Sequence, residues 1–144
     1  MIRRPPRSTP SNSSAASDVY KRQGCVSRAA LEGLEVGLKY FNDLGIKQIE
    51  QRVRRLSGYL IDGLLDLGCK VYTPVEPERR AGLVIYSTGS NKLDRKSHEM
   101  LTKQKIYVSL RSMGGCAGIR ASPHFFNIEE EIDKLLSIQK EAMK

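Results

Sequence analysis

The chain has 144 residues, of which 40% are hydrophobic and 28% charged, and its net charge is +8. These values fit one globular domain and exclude a wholly disordered or collagen-like chain. No run of about 18 apolar residues predicts a membrane span. The cysteines Cys25, Cys69 and Cys116 form no C-x-x-C pair, so they indicate neither a zinc ribbon nor a disulfide framework, and we expect a reducing, cytoplasmic compartment.

The first 23 residues read as a tail. They are rich in Ser, Pro and Arg without apolar periodicity, and their five basic residues and one acidic residue hold +4 of the net charge. This composition predicts disorder, in a transit peptide or a nucleic-acid-binding arm. The segment also resembles translated sequencing-adapter sequence, and we prefer that interpretation. We therefore expect 1–23 to be an artefact and 24–144 to be the folded domain.

Two helices open the folded part. Apolar residues recur on one helical face from about Ser27 to Leu44, at Ala30, Leu34, Leu38 and Phe41. A second and longer stripe predicts the next helix, and Gly68 suits its C-terminal cap. That stripe consists of Ile49, Val53, Leu56, Leu60, Leu64 and Leu67.

Short strands and two further helices follow. The predicted segments are strands at 69–73 and 82–87, a helix from Leu93 to near Lys105, strands at 106–111 and 118–122, and a terminal helix capped by Asn127. The last two strands are expected to pair as a hairpin around the loop 112–117. The order α-α-β-β-α-β-β-α predicts an α+β fold, with a small antiparallel or mixed sheet of three to four strands and helices packed on one face.

Arg111 and Arg120 lie on the two strands of the expected hairpin. A partly buried guanidinium keeps its charge and therefore needs a partner. That partner is either a structural carboxylate, such as Asp94 or Glu99, or the carboxylate of a ligand held by two hydrogen bonds. Composition alone favours the structural ion pair, because such pairs are common. The chain's two histidines lack metal-ligand spacing, so no metal site is expected.

The segment G-I-R-A-S-P-H-F-F-N-I-E-E-E-I-D-K-L, at 118–135, resembles the C-terminal signature of class V, pyridoxal-phosphate-dependent aminotransferases. The most similar branch holds cysteine desulfurases, selenocysteine lyases and isopenicillin-epimerase-like enzymes. Residues 106–111 resemble the strand before that signature, and 30–67 resemble the helices that lead into the small domain. The resemblance implies that 24–144 is the small domain of a fold-type I enzyme.

The resemblance also implies roles for three residues. Arg120 matches the arginine that binds the substrate α-carboxylate, and Arg111 matches a second active-site arginine. Cys116 lies near the position of the cysteine that attacks sulfur in desulfurases, but the histidine-rich run that usually precedes it is replaced by S-M-G-G. A persulfide role for Cys116 is therefore not favoured. The parent enzyme would be a homodimer that uses pyridoxal phosphate on a small amino acid.

No segment matches the large domain that carries the cofactor's lysine in this family. We therefore expect a truncated small domain, inactive alone and unable to hold pyridoxal phosphate without the missing large domain. One alternative is a stand-alone basic α+β module that binds nucleic acid or a protein partner, although few aromatic residues disfavour nucleic acid. Another is an interaction domain that supplies Arg120 to a separately encoded large domain. No membrane partner is expected.

Overall fold

The computed structural model describes residues 27–113 and 116–144, without the side chains of Met113 and Cys116. The tail 1–23 and Cys25 lie outside the described residues. The elements are α1 (Arg28–Leu44), α2 (Ile46–Asp66), β1 (Lys70–Val71), a 3-10 turn (Pro77–Arg79), β2 (Val84–Ser87), α3 (Asn91–Lys103), β3 (Ser109–Met113), β4 (Cys116–Ala121) and α4 (Glu129–Ala142). This is the predicted order of helices and strands.

The described residues fall into two units, which are divided between Asp43 and Leu44. Almost all of α1 belongs to the first unit. None of its residues is buried, and Leu34 and Leu38 on its apolar face are 56% and 55% exposed. The helix that periodicity predicts is therefore present, with its apolar face open.

The second unit contains a four-stranded antiparallel sheet in the order β1-β2-β4-β3. This confirms the α+β prediction. Gly118 allows β2 and β4 to approach closely, because a Cβ atom there would lie 2.2 Å from the carbonyl oxygen of Tyr86. The sequence places glycine where any side chain would push the two strands apart.

Helices α2, α3 and α4 supply the apolar side chains that pack with one face of the sheet. Alternate residues of β2 and β4 point into this core, as the period of a strand requires. The buried sheet residues are Val84, Tyr86, Ile119 and Ala121, and the buried helix residues include Leu56, Leu60, Ile61, Leu64, Leu101, Ile132 and Leu135. The other positions of β4, including Arg120, belong to the opposite face.

A buried polar chain joins β2 to α4 and α3 inside the core. The Tyr86 hydroxyl donates to Oε1 of Gln139 at 3.2 Å, and Nε2 of Gln139 donates to the Ser97 hydroxyl at 3.1 Å. All three residues are buried. Satisfied polar groups of this kind fix how neighbouring elements pack.

The start of α4 is fixed to α2 by an ionic cluster. Arg52 donates to both carboxylate oxygens of Glu129, at 2.7 and 2.8 Å, and to the carbonyl of Asn127 at 3.0 Å. Arg55 also bonds to Glu129. The hydrogen bonds from these two arginines lower the pKa of Glu129 from 4.5 to about 2.

Two local predictions are wrong. The N-cap of α4 is Ile128 rather than Asn127, because the Glu131 carboxylate turns back to accept from the backbone N–H of Ile128 and from Nδ2 of Asn127. The backbone of Cys116 lies in β4 rather than in a loop, because pairing continues to Met113 and Cys116. That pairing leaves a connection of only two residues.

No helix within 27–113 or 116–144 combines the length and apolar character that a membrane crossing needs.

Candidate functional site

Arg120 lies in the middle of the sheet. On one side it pairs with Ile85 of β2, and on the other with Ser109 of β3. Because β4 is an interior strand, both edges of its backbone are held by neighbouring strands. Arg120 is therefore a half-buried cation on a rigid support.

The guanidinium of Arg120 has no acceptor within the described parts of the chain. Among the described residues it makes no ion pair and no hydrogen bond, and its Nε is a buried donor without a partner. Nε of Arg80 is also buried and unpaired, but another nitrogen of Arg80 donates to the Val75 carbonyl. An unsatisfied buried donor costs about 1–3 kcal/mol, so the arrangement at Arg120 calls for an external acceptor.

The structural carboxylates that the sequence suggested do not pair with Arg120. Asp94 is buried and accepts from the Ser87 hydroxyl at 2.7 Å, and from the Thr88 backbone N–H and hydroxyl at 2.8 Å each. Glu99 is exposed on α3 and has no ion pair within the described parts of the chain. The structural ion pair that composition favoured is therefore not what the structure shows.

Arg111 is a diagonal neighbour of Arg120 across β3 and β4. Arg111 pairs with Gly118, and Ser109 pairs with Arg120. Diagonal positions of an antiparallel pair share one face and lie about 7–8 Å apart. The hairpin thus brings the two predicted arginines together, with Arg111 exposed and Arg120 half-buried.

Arg111 also lines a cleft between the start of α3 and the β3–β4 hairpin. The cleft has a volume of about 300 Å³, and Asn91, Asp94 and Arg95 form part of its wall. Sequence reasoning did not single out Arg95, which lines this cleft. A basic residue on a polar helix is common, so no sequence signal distinguishes it from its neighbours.

The structure identifies no reactive thiol at the two cysteines whose backbone it describes, Cys69 and Cys116. Cys116 is the first residue of β4, four positions before Arg120, and its side chain lies outside the described atoms. Cys69 is buried, and desolvation together with the charge of Asp94 raises the pKa of its thiol to about 11. Cys69 is therefore a core thiol rather than a nucleophile. No group of three metal-ligating side chains occurs among the described residues.

Residues 7–135 match the family model of aminotransferase class V. The chain belongs to the class V aminotransferase family. The match starts inside the segment 1–23, and the interpretation of that segment as an artefact stays a prediction.

Curated relatives of the chain include probable cysteine desulfurases. The protein from Pyrococcus abyssi is 28% identical over 122 residues, which cover 78% of this chain and 30% of the relative. The protein from Halalkalibacterium halodurans is 30% identical over 116 residues, covering 72% and 27%. This class V chain therefore spans about 30% of the length of the relatives it matches.

Solved structures show the same likeness. The apo cysteine desulfurase from Thermococcus onnurineus NA1 superposes with a TM-score of 0.65 at 26% identity, over 76% of this chain and 29% of the other. A mutant of C-DES with glycine covalently linked to its pyridoxal phosphate superposes with a TM-score of 0.59 at 25% identity, over 88% and 27%. The fold of this class V chain is thus that of one part of these enzymes.

The structure places no lysine beside Arg120 or in the cleft next to Arg111 that could anchor pyridoxal phosphate there. Enzymes of this kind hold the cofactor through a lysine amine. The strand neighbours of Arg120 are Ile85 and Ser109, and no lysine lines the described cleft beside Arg111.

Proposed function

We propose that this chain supplies Arg120 as the carboxylate-binding residue of a pyridoxal-phosphate-dependent class V enzyme that acts on a small amino acid. The observation that carries the proposal is the half-buried guanidinium without an internal acceptor. Membership of the family and the glycine bound in the C-DES structure support it.

The role of Arg120 is orientation. A guanidinium can hold a carboxylate through two parallel hydrogen bonds, which fix both its position and its plane. Fixing the carboxylate restricts the rotation of the amino acid and aims one bond of its Cα atom at the reacting centre. An interior strand is a suitable support, because binding groups act best on rigid elements. The cofactor would supply the electron sink when it is bound.

Arg111 is proposed as a second substrate-contacting arginine. Its diagonal position beside Arg120 would let it raise the positive potential around the carboxylate. We assign no catalytic role to Cys116. Desulfuration, epimerisation and transamination all remain compatible with Arg120, because each begins with an oriented amino acid.

We propose further that the activity requires the part of the family fold that lies outside the shared stretch. The chain covers 30% of the Pyrococcus abyssi relative, and no lysine lies beside Arg120 in the sheet or lines the cleft next to Arg111. The complete enzyme would be a cytoplasmic homodimer, with the large domain either in the same polypeptide or supplied separately.

A hybrid enzyme tests the proposal. It joins the preceding part of the Pyrococcus abyssi relative to residues 27–144 of this chain, and sulfide release from cysteine is measured. We expect Arg120→Gln to raise KM for cysteine by about tenfold or more, with partial recovery in Arg120→Lys. Arg79→Gln, in the exposed 3-10 turn, is the matched control. An unchanged KM in Arg120→Gln would contradict the assignment.

The stand-alone module is separated from this proposal by a binding test. Salt-dependent binding of RNA or DNA that survives removal of residues 1–23 would support the module.

A further inference from the structure

We propose that Ser109 is a further substrate-contacting residue, whose hydroxyl donates a hydrogen bond to the acid group that Arg120 holds. Ser109 lies on β3, directly opposite Arg120 on β4. This assignment rests on the proposed function of Arg120 and adds a second, uncharged contact to the same site.

The register of the sheet places three half-buried residues in one row. Ile85 of β2, Arg120 of β4 and Ser109 of β3 are direct partners across the three strands. Directly opposite residues of an antiparallel pair share one face, with their Cβ atoms about 4.5–5.5 Å apart, whereas diagonal neighbours are about 7–8 Å apart. Ser109 therefore shares the face of Arg120, and its Cβ atom is nearer to Arg120 than that of the diagonal Arg111.

The side chain of Arg120 lies low on this face. Its Nε is buried, and an arginine that stood straight out from the sheet would expose that nitrogen to water. A carboxylate bound by this guanidinium is thus held close to the sheet, where a short side chain on the next strand can reach it. The Ser109 hydroxyl makes no hydrogen bond with any described residue, so its proton is available to a ligand.

A carboxylate at this position needs a donor besides Arg120. Its two oxygens offer about four acceptor positions, and a guanidinium occupies about two of them. The backbone of the interior strand β4 is already paired with β2 and β3, and Ile85 presents only an aliphatic side chain on the β2 side. Because an acceptor left unpaired in a half-buried site weakens binding, the acid group should lie toward β3, where the Ser109 hydroxyl can donate.

The test titrates the full chain, ¹⁵N-labelled on arginine, with glycine while the Nε–H signal of Arg120 is followed by NMR. We expect Ser109→Ala to weaken glycine binding by about fivefold or more, because a hydrogen bond to a charged group is lost. Ser109→Thr keeps the hydroxyl and should bind within about twofold of the original chain. Ser112→Ala is the matched control on the same strand, and it should leave binding unchanged because alternation along β3 places Ser112 on the opposite face.

A purely structural role for Ser109 would give a different result. If its hydroxyl only held Arg120 in place, the Arg120 signal of ligand-free Ser109→Ala would move as far as saturating glycine moves it in the original chain. We expect that ligand-free signal to stay close to its original position, and a movement of that size would overturn the contact.

Two further outcomes separate this contact from the role of Arg120. If glycine shifts the Arg120 signal but binds Ser109→Ala as tightly as the original chain, the contact at Ser109 is overturned and the role of Arg120 stands. The same holds if Ser109→Thr or Ser112→Ala loses as much affinity as Ser109→Ala. No response to glycine in the original chain overturns the proposed function of Arg120 and this contact together.

Discussion

The two arginines Arg52 and Arg120 show how one residue type can serve structure or function. Arg52 is held by both oxygens of Glu129 and by the Asn127 carbonyl. Arg120 has no internal acceptor among the described residues. A guanidinium that is paired contributes to the fold, whereas one that is unpaired weakens the fold and needs another explanation.

Replacement by methionine should separate the two roles. Arg120→Met removes unpaired donors and keeps an apolar stem, so we expect the free energy of unfolding to stay the same or rise by about 1 kcal/mol. Arg52→Met should lower it, because it breaks the cluster at Glu129. Urea unfolding of both variants and the original chain measures this. A clear loss of stability in Arg120→Met would show that its guanidinium is structural.

Glu129 should make stability depend on pH in the acid range. Its pKa in the folded chain is about 2, below its ordinary value of 4.5, because Arg52 and Arg55 donate hydrogen bonds to it. The carboxylate therefore stabilises the fold above pH 4.5, and this contribution is lost as pH falls toward about 2. Urea unfolding measures the free energy of unfolding at each pH. Glu129→Gln should remove its dependence on pH in this range, and Glu130→Gln should leave that dependence in place. The same pH dependence in Glu129→Gln and in the original chain would show that Glu129 does not cause it.

At the scale of the elements, the pairing of β2 with β4 requires that residue 118 has no side chain. Gly118→Ala would place Cβ against the Tyr86 carbonyl oxygen, at 2.2 Å in the present geometry, and backbone atoms cannot give way without loss of pairing. We expect a loss of about 1–3 kcal/mol in the free energy of unfolding. Gly33→Ala, on α1, has no described atom within 4 Å of its new Cβ, and should stabilise the helix by up to about 1 kcal/mol. Thermal unfolding compares the two, and an unaffected Gly118→Ala would contradict this packing.

The helices could be predicted because their apolar period is contained in the local sequence. The limits of the strands could not be predicted in this way. The strand predicted at 106–111 is observed at Ser109–Met113. Ile106 alternates with Val108 in the sequence, but its backbone N–H bonds to the carbonyl of Leu101 at the end of α3. The limits of β3 are set by pairing with β4, which is a contact that no local pattern contains.

The candidate site was predictable only in part. The resemblance at 118–135 identified Arg120, the resemblance at 106–111 identified Arg111, and antiparallel pairing brings them together as the expected hairpin implies. The unpaired state of Arg120 and the cleft with Arg95 could not be predicted. Asp94 was one suggested partner of Arg120, and its carboxylate bonds instead to Ser87 at the end of β2 and to Thr88 just after it.

At the scale of the whole molecule, the chain is one part of a larger family fold. It spans about 30% of the Pyrococcus abyssi relative, and no lysine lies beside Arg120 in the sheet or lines the cleft next to Arg111. We expect the chain mixed with pyridoxal phosphate and then dialysed to show no yellow absorbance from bound cofactor. Free amino acid in the dialysis buffer removes randomly attached cofactor and serves as the control. Absorbance that persists at one cofactor per chain would contradict the proposal that another part of the family fold holds the cofactor.

The most direct measurement of the central claim compares glycine with glycinamide. The full chain, ¹⁵N-labelled on arginine, is titrated with each compound while the Arg120 guanidinium signals are followed by NMR. The account predicts a saturable shift of the Arg120 signals with glycine and none with glycinamide, and it predicts that glycine no longer shifts the signals of the neighbouring Arg111 in Arg120→Gln. Equal responses to the two compounds, or no response to glycine at any concentration, would show that Arg120 does not bind an amino-acid carboxylate.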